Sequence, residues 1–152
     1  MAITVEGASR KDLDQLYEIE TECFRREAFT RKQIAQLLMD YNSISLLARC
    51  NGKAVGFIIG RISVEGEALA GHILTLDVLP AQRRKGIGCS LLQELESIFL
   101  QRNIRESYLE AREDNVDALR LYERMGYEKI RKLKGYYGDA HGVCLKKVLG
   151  QS

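Results

Sequence analysis

The 152-residue chain contains one proline, no tryptophan and no long apolar run. With a single proline at Pro80 and no linker or low-complexity segment, the composition is typical of one globular domain covering residues 1–152. No stretch reaches the roughly 18 apolar residues of a membrane span, and the first residues lack the apolar run of a signal peptide. We therefore expect a soluble cytoplasmic protein that makes no contact with membranes.

Charge of one sign and metal-binding residues are also scarce. The formal net charge is only +2, which does not favour direct binding of nucleic acid. A zinc site has little support, because no CxxC pair exists and only His72 and His141 are available to join the cysteines. We expect no metal, and we expect free thiols, as in a reducing compartment, at Cys23, Cys50, Cys89 and Cys144.

The most informative stretch is Arg83-Arg84-Lys85-Gly86-Ile87-Gly88-Cys89. It places two glycines and three cations between an apolar segment at 72–79 and an amphipathic helix that begins near Gly86. The first N–H groups of a helix bind phosphate oxygens, glycine allows close approach of the backbone, and Arg or Lys adds positive charge. The stretch therefore predicts a pyrophosphate-binding loop.

The rest of the pattern predicts an α/β fold. Asn51-Gly52 indicates a hairpin, Thr30 with Gln33 indicates the capping box of a second helix, and Ser9 caps the first. Helices are expected at 11–23, from 30, from 86 and at 116–125, and strands at 3–5, 43–50, 53–64, 72–79, 107–111, 127–133 and 141–149. This order implies a mixed, mostly antiparallel sheet of six to seven strands with helices on both faces.

Two motifs in this order carry a family resemblance. The first is RxxGxG from Arg83 to Gly88, which follows Leu76-Asp77-Val78. The second is LExRxxNxxAxxLYxxxGF with Tyr for the final Phe, carried by Leu109-Glu110-Ala111-Arg112, Asn115, Ala118, Leu121-Tyr122 and Gly126-Tyr127. The chain thus resembles the GNAT superfamily of N-acetyltransferases. His72 and the pair Tyr136-Tyr137 make it most similar to the RimI and archaeal protein N-terminal acetyltransferases.

The resemblance implies a single-domain GNAT fold with acetyl-CoA as co-substrate. The thioester would lie along Leu76, Asp77 and Val78, and Asn115 and Tyr122 would contact the pantetheine arm. For Asn115 and Tyr122, helix capping and ordinary packing are the structural alternatives. The pyrophosphate would be held by Arg83, Arg84, Lys85, Gly86, Ile87, Gly88 and Cys89.

Acetyl transfer to an amine needs a base, a stabilised thioester oxygen and an acid. Glu110 and His72 are both candidates for the base, and their spacing does not rank them. An ion pair with Arg112 is the structural alternative for Glu110, and a hydrogen-bonded sheet position is the alternative for His72. A backbone N–H near Leu76 to Val78 would stabilise the oxygen, and the resemblance implies that Tyr122 protonates the departing thiolate.

The resemblance also implies that a peptide N-terminus inserts between two loops, at 23–30 and 134–141. Arg25, Arg26 and Glu27 leave the preferred first residue of the peptide open. The residues expected to contact the peptide are Phe24, Phe29, Leu74, Tyr136 and Tyr137.

The resulting hypothesis is an enzyme that acetylates the α-amino group of protein N-termini, including ribosomal proteins near the ribosome, by direct attack in a ternary complex. An α-amino group, with a pKa of about 7.7–8.0, loses its proton far more easily than lysine at about 10.4. Two alternatives stay open: acetylation of a small amine or a lysine side chain, and a regulatory subunit that binds acetyl-CoA without catalysis. The sequence does not define the oligomeric state or partner subunits.

Overall fold

The computed structural model describes residues 2–24 and 27–150, so the predicted role of Arg25 and Arg26 lies outside the described residues. Seven strands form one sheet in the order β1-β2-β3-β4-β5-β7-β6. The strands are β1 Ile3–Gly7, β2 Ser43–Cys50, β3 Lys53–Glu65, β4 Ala68–Val78, β5 Glu106–Arg112, β6 Glu128–Leu133 and β7 Gly142–Val148. The helices are α1 Leu13–Cys23, α2 Arg31–Met39, α3 Ile87–Gln101 and α4 Val116–Arg124.

The predicted order of elements is confirmed, with two corrections to their bounds. β4 begins at Ala68 and not at residue 72, because Glu65 pairs with Ala68 across a tight turn in which Gly66 has a φ of +62°. The first helix is preceded by a 3-10 turn at Arg10–Asp12, and the Ser9 N–H donates to the Asp12 carboxylate at 2.9 Å. Ser9 therefore caps this turn and not α1 itself.

The turn and cap predicted at the second helix and first hairpin are confirmed. The Gln33 N–H donates to the Thr30 hydroxyl at 3.1 Å, and the Gln33 side chain accepts the Thr30 N–H at 2.9 Å. Asn51 and Gly52 both have positive φ angles, 53° and 82°, which suit the tight turn between β2 and β3.

Helices cover both faces of the sheet, as predicted. One core joins α1 and α2 to β2 and β3 and is centred on Leu16, Ile34 and Phe57. The other joins α3 and α4 to the opposite face and includes Leu95 and Phe99. In the part of the chain that the structure describes, no helix is both long and apolar enough to cross a membrane.

The neighbouring strands β4 and β5 separate soon after they pair. They are parallel, and their register comprises only two residue pairs, Gly71 with Ser107 and His72 with Tyr108. Beyond these pairs β4 continues to Val78 and β5 continues to Arg112. The backbone edges that face each other beyond His72 therefore have no strand partner, and a cleft opens between them.

A β-bulge in β4 lies immediately beyond the last residue paired with β5. The β3 partners of β4 step from Ile59, opposite Thr75, to Gly60, opposite Ile73, so Leu74 is the extra residue. A bulge bends its strand and increases the local twist. The bulge therefore accompanies the divergence of the two strands at the cleft.

Candidate active site

A groove of about 850 Å³ runs from the cleft to the N-terminal ends of α3 and α4. Leu76 and Val78 of β4 form part of its wall, and Ala118 and Leu121 of α4 form another part. Part of the groove wall is thus apolar, and its opposite end is lined by Arg83 and the residues that follow it.

The start of α3 has the geometry of a phosphate site. Gly86 is the residue before the helix and adopts a left-handed φ of 82°. The Ser90 N–H donates to the Gly86 carbonyl at 3.0 Å, so the N–H groups of Ile87, Gly88 and Cys89 have no acceptor within the helix. These are the groups that bind phosphate oxygens at a helix N-terminus.

The spacing between α3 and α4 explains the second glycine of the loop. A Cβ at Gly88 would lie 3.2 Å from Leu121 Cδ2 and 3.7 Å from Val78 Cγ2. This contact is tighter than most side chains tolerate, so Gly88 allows α4 to approach the start of α3 and narrow the groove.

The cations of the predicted loop do not all lie at the groove. Arg83 and Arg84 line it, and the Arg83 Nε donates to the Val78 carbonyl at 2.9 Å. Lys85 is not among the lining residues, and its Nζ donates to the Gln82 side chain at 3.2 Å. Arg120 and Arg124 of α4 line the groove as well. Neither arginine was predicted as a site residue, although their spacing of four residues places them on one face of a helix.

Of the three residues predicted to lie along the thioester, two line the groove and one does not. Leu76 and Val78 are lining residues, whereas the Asp77 side chain is only 1% exposed and bonds to the Thr75 hydroxyl at 2.5 Å. Side chains alternate along a strand, which directs Asp77 away from the face that Leu76 and Val78 present.

The two candidate bases form one pair. The His72 Nε2 and the Glu110 Oε1 are 2.6 Å apart, and their side chains are 23% and 21% exposed. The His72 ring also stacks on Tyr108, with centroids 4.3 Å apart and planes 7° from parallel. Because His72 belongs to the last residue pair between β4 and β5, the His72–Glu110 pair lies where the cleft begins. Glu110 is thus paired with His72, and not with Arg112 as in its structural alternative.

Two residues of α4 line the groove and also serve the helix. The Asn115 Oδ1 accepts the Ala118 N–H at 3.2 Å and caps α4, and Asn115 is a lining residue too. Tyr122 is buried, and its ring meets that of Tyr127 edge to face at 5.7 Å. Burial raises the pKa of the Tyr122 hydroxyl above its ordinary value, and Tyr122 holds its proton at neutral pH.

The residues predicted to contact a peptide fall into two groups. Phe24 lines the groove, whereas Phe29 and Leu74 pack against the core under α1 and α2. Tyr136 and Tyr137 meet edge to face at 4.9 Å in the second loop, where Tyr136 is 55% exposed. Burial raises the pKa values of both hydroxyls, that of Tyr137 to about 12, so both are protonated at neutral pH as tyrosines ordinarily are.

Arg112 connects the two loops and was not predicted as a site residue. Its guanidinium pairs with Glu27 of the first loop and, at 3.1 Å, with Asp139 of the second. It also pairs with Asp114 at 3.0 Å and lies 5.6 Å from the centre of the Tyr137 ring. The available signal was the Arg of the second motif, directly at the end of β5. Arg112 therefore fixes the spacing between the two loops.

Residues 2–24 and 27–150 contain no group of three or more His, Cys, Asp or Glu side chains arranged to hold a metal ion. Cys23 lines the groove, and burial, followed by Asp77, raises the pKa of its thiol to about 11. A thiol with so high a pKa is a poor nucleophile near neutral pH.

One protein family accounts for the start of α3, the divergence of β4 and β5, and the second motif. The profile of the Acetyltransferase (GNAT) family matches residues 13–127, and the chain belongs to this family of acetyltransferases. The predicted family is thereby confirmed.

Individual relatives are similar over nearly the full length. The N-alpha-acetyltransferase of Saccharolobus solfataricus is 30% identical over 93% of this chain and 90% of the relative. The ribosomal-protein-S18-alanine N-acetyltransferase of Escherichia coli superposes with a TM-score of 0.88 at 22% identity, over 99% of this chain and 96% of that one, and shows the same fold. Arabidopsis thaliana Naa50 was solved with the bisubstrate analogue CoA-Ac-MVNAL. It superposes with a TM-score of 0.84 at 27% identity, over 97% of this chain and 99% of that one.

Proposed function

We propose that this protein transfers the acetyl group of acetyl-CoA to the α-amino group of protein N-termini. The observation that carries the proposal is the His72–Glu110 contact of 2.6 Å at the point where β4 and β5 diverge. This pair can accept a proton. On one side of it lies the groove, which suits a phosphate-bearing ligand, and on the other side lie the two loops that Arg112 joins. One ligand would approach the pair from each side.

The groove fits acetyl-CoA on two grounds. The free N–H groups at the start of α3, together with Arg83 and Arg84, match a pyrophosphate. The apolar wall of Leu76 and Val78, with Asn115 opposite, matches the pantetheine arm, which is less polar and carries amides. Bound acetyl-CoA would supply the acetyl group as a thioester at the cleft.

The residues of the cleft have complementary roles in the transfer. The His72–Glu110 pair accepts the proton of the attacking amine as the new C–N bond forms. Backbone N–H groups on the unpaired edge of β4 stabilise the charge that develops on the thioester oxygen. Tyr122 donates its proton to the sulfur as the C–S bond breaks, and burial keeps that proton in place beforehand. Holding both reactants in the cleft supplies much of the remaining acceleration.

A protein N-terminus suits the cleft better than a small amine. The two loops extend the site beyond the His72–Glu110 pair and present the exposed Tyr136 hydroxyl and the half-buried Tyr137. The Saccharolobus solfataricus relative is named for this activity, and Arabidopsis thaliana Naa50 was solved with CoA joined to a peptide. The four free cysteines are consistent with a cytoplasmic location, which we propose as well.

The test is CoA release in the presence of acetyl-CoA and matched peptides. One peptide has a free N-terminus and no lysine, and the second has a blocked N-terminus and a free lysine. We expect turnover with the first peptide alone. Turnover with the second alone would indicate a lysine acetyltransferase. Binding of CoA without turnover of any free N-terminus would indicate a regulatory subunit and contradict the proposal.

A further inference from the structure

Two carboxyl groups are buried together beside the cleft and are not used in the mechanism above. Glu20 of α1 and Asp77 of β4 are each only 1% exposed. The Thr75 hydroxyl lies between them, 2.5 Å from Asp77 Oδ1 and 3.2 Å from Glu20 Oε1. We call Glu20, Thr75 and Asp77 the Glu20 cluster.

Glu20 also holds both ends of the first loop. Its backbone carbonyl accepts the Phe24 N–H at 2.9 Å, where α1 ends. Its Oε2 accepts the Phe29 N–H at 2.9 Å, just before α2 begins. One residue therefore connects both Phe24 and Phe29 to the bulged strand β4 through Thr75.

The number of protons in the cluster follows from its geometry. The Thr75 hydroxyl has one proton and faces two carboxyl groups, so it can donate to only one of them. With both carboxylates ionised, one of the two oxygens that face Thr75 would lack a donor, and Asp77 Oδ2 has no donor either. A neutral Asp77 supplies the missing donor: its O–H donates to Thr75, and the Thr75 O–H donates to an ionised Glu20. An unpartnered carbonyl oxygen is then left buried, which costs less than an unpartnered charge.

The electrostatic surroundings agree with this assignment. Burial, followed by contact with Glu20, raises the pKa of Asp77 well above its ordinary value. The hydrogen bond with Thr75, followed by Arg83, lowers the pKa of Asp77, but both influences are smaller than that of Glu20.

We propose that the Glu20 cluster is a positioning device for the peptide-binding loop, in which a neutral Asp77 and an ionised Glu20 share one proton through Thr75. Glu20 fixes the Phe29 backbone and thereby the first wall of the peptide cleft. This role rests on the proposed acetylation of peptides, because it assigns the loop to the peptide substrate. Neither carboxyl group contacts the reacting atoms.

The first test compares Glu20→Met with the matched control Glu22→Met, at an exposed residue of the same helix. Met has a similar length but no oxygen to accept the Phe29 N–H, so we expect Glu20→Met to raise the peptide KM about tenfold, the worth of one hydrogen bond to a charged group. The KM for acetyl-CoA and the kcat should change little, and Glu22→Met should resemble the wild type. In hydrogen exchange, the Phe29 amide should lose protection in Glu20→Met alone. Unchanged protection of Phe29 together with an unchanged peptide KM would overturn the proposal.

The second test locates the proton and does not depend on activity. At neutral pH the infrared spectrum of the wild type should contain the carbonyl band of a protonated carboxylic acid, and Asp77→Asn should remove it. Asn at position 77 can still donate to Thr75, so this conservative variant should keep the Phe29 amide protected. A band that survives in Asp77→Asn, or a loss of Phe29 protection equal to that in Glu20→Met, would overturn the assignment. If no N-terminus is acetylated at all, the exchange and infrared results still decide whether the cluster holds the loop.

Discussion

The His72–Glu110 pair and the Glu20–Asp77 pair differ chiefly in their access to solvent. Each joins β4 to a neighbouring element, β5 in the first pair and α1 in the second. The side chains of the first pair are 23% and 21% exposed, whereas both residues of the second are 1% exposed. A proton can reach the first pair from a substrate in the cleft, but the second is sealed. Solvent access, more than residue type, therefore distinguishes a pair that can accept a proton from a pair with a structural role.

The largest effect is expected from breaking the exposed pair. His72→Gln and Glu110→Gln should each lower the kcat about 10²–10⁴-fold, the usual contribution of a general base. Because the two residues act as a unit, the double variant should be little slower than the worse single variant. The measurement is CoA release at saturating peptide, with the melting temperature as the control for folding. A kcat close to that of the wild type in both single variants would mean that the His72–Glu110 pair, like the Glu20–Asp77 pair, does not accept the substrate proton.

Tyr122→Phe should have the next largest effect. It removes the proton donor to sulfur but keeps the packing of the ring against Tyr127, so the kcat should fall about 10²-fold while the affinity for CoA is kept. The matched control is Tyr41→Phe, at a residue that is 94% exposed. Titration calorimetry with CoA separates binding from turnover. A loss of CoA affinity with an unchanged kcat would assign Tyr122 to binding alone.

A smaller effect is expected when the two loops are disconnected. Arg112→Gln removes the ion pairs with Glu27 and Asp139, so the peptide KM should rise about fivefold, as is typical of partly exposed ion pairs. The KM for acetyl-CoA should stay the same. Arg31→Gln is the control, because it breaks a single exposed pair with Asp14 on the outside of the molecule. Equal effects of the two variants on the peptide KM would show that Arg112 does not shape the cleft.

The smallest effect is expected in the pH dependence of stability, and it tests the protonation state of the buried Glu20–Asp77 pair. Because the pKa of Asp77 is raised on folding, the native state holds a proton that the unfolded state releases above a pH of about 4. The stability of the wild type therefore falls as pH rises through that region, and Asn at position 77, which does not titrate, avoids the loss. The advantage of Asp77→Asn in free energy of unfolding should grow from pH 4 to pH 7 in urea denaturation. An advantage that shrinks over this range would mean that Asp77 is ionised in the native state.

Local patterns predicted much of the fold. The hairpin at Asn51 and Gly52, the Thr30 cap and the start of α3 at Gly86 each depend on residues close together in the chain. The second motif likewise indicated Glu110 and Tyr122, although it gave no geometry for them.

Contacts between distant residues were not predictable from these patterns. No local pattern singles out Glu20, because the sequence does not show that Thr75, 55 positions later, supplies its partner. The contact of Arg112 with Glu27 spans 85 positions. The sequence likewise presented His72 and Glu110 as rivals, since only the pairing of β4 with β5 brings them together.

The short register between β4 and β5 divides the sheet into two parts, which meet at a seam. One part contains β1 to β4, and the other contains β5, β7 and β6. Adjacent strands β3 and β4 pair from Gly56 to Glu65 with a single bulge, whereas the seam has only two residue pairs. Fewer ladder hydrogen bonds make the seam the weakest line of the sheet against local opening. A ligand that spans the seam contacts both halves and binds only when they are aligned, so its binding energy also resists their separation. The cleft that admits the reactants is thus also the place where they strengthen the protein.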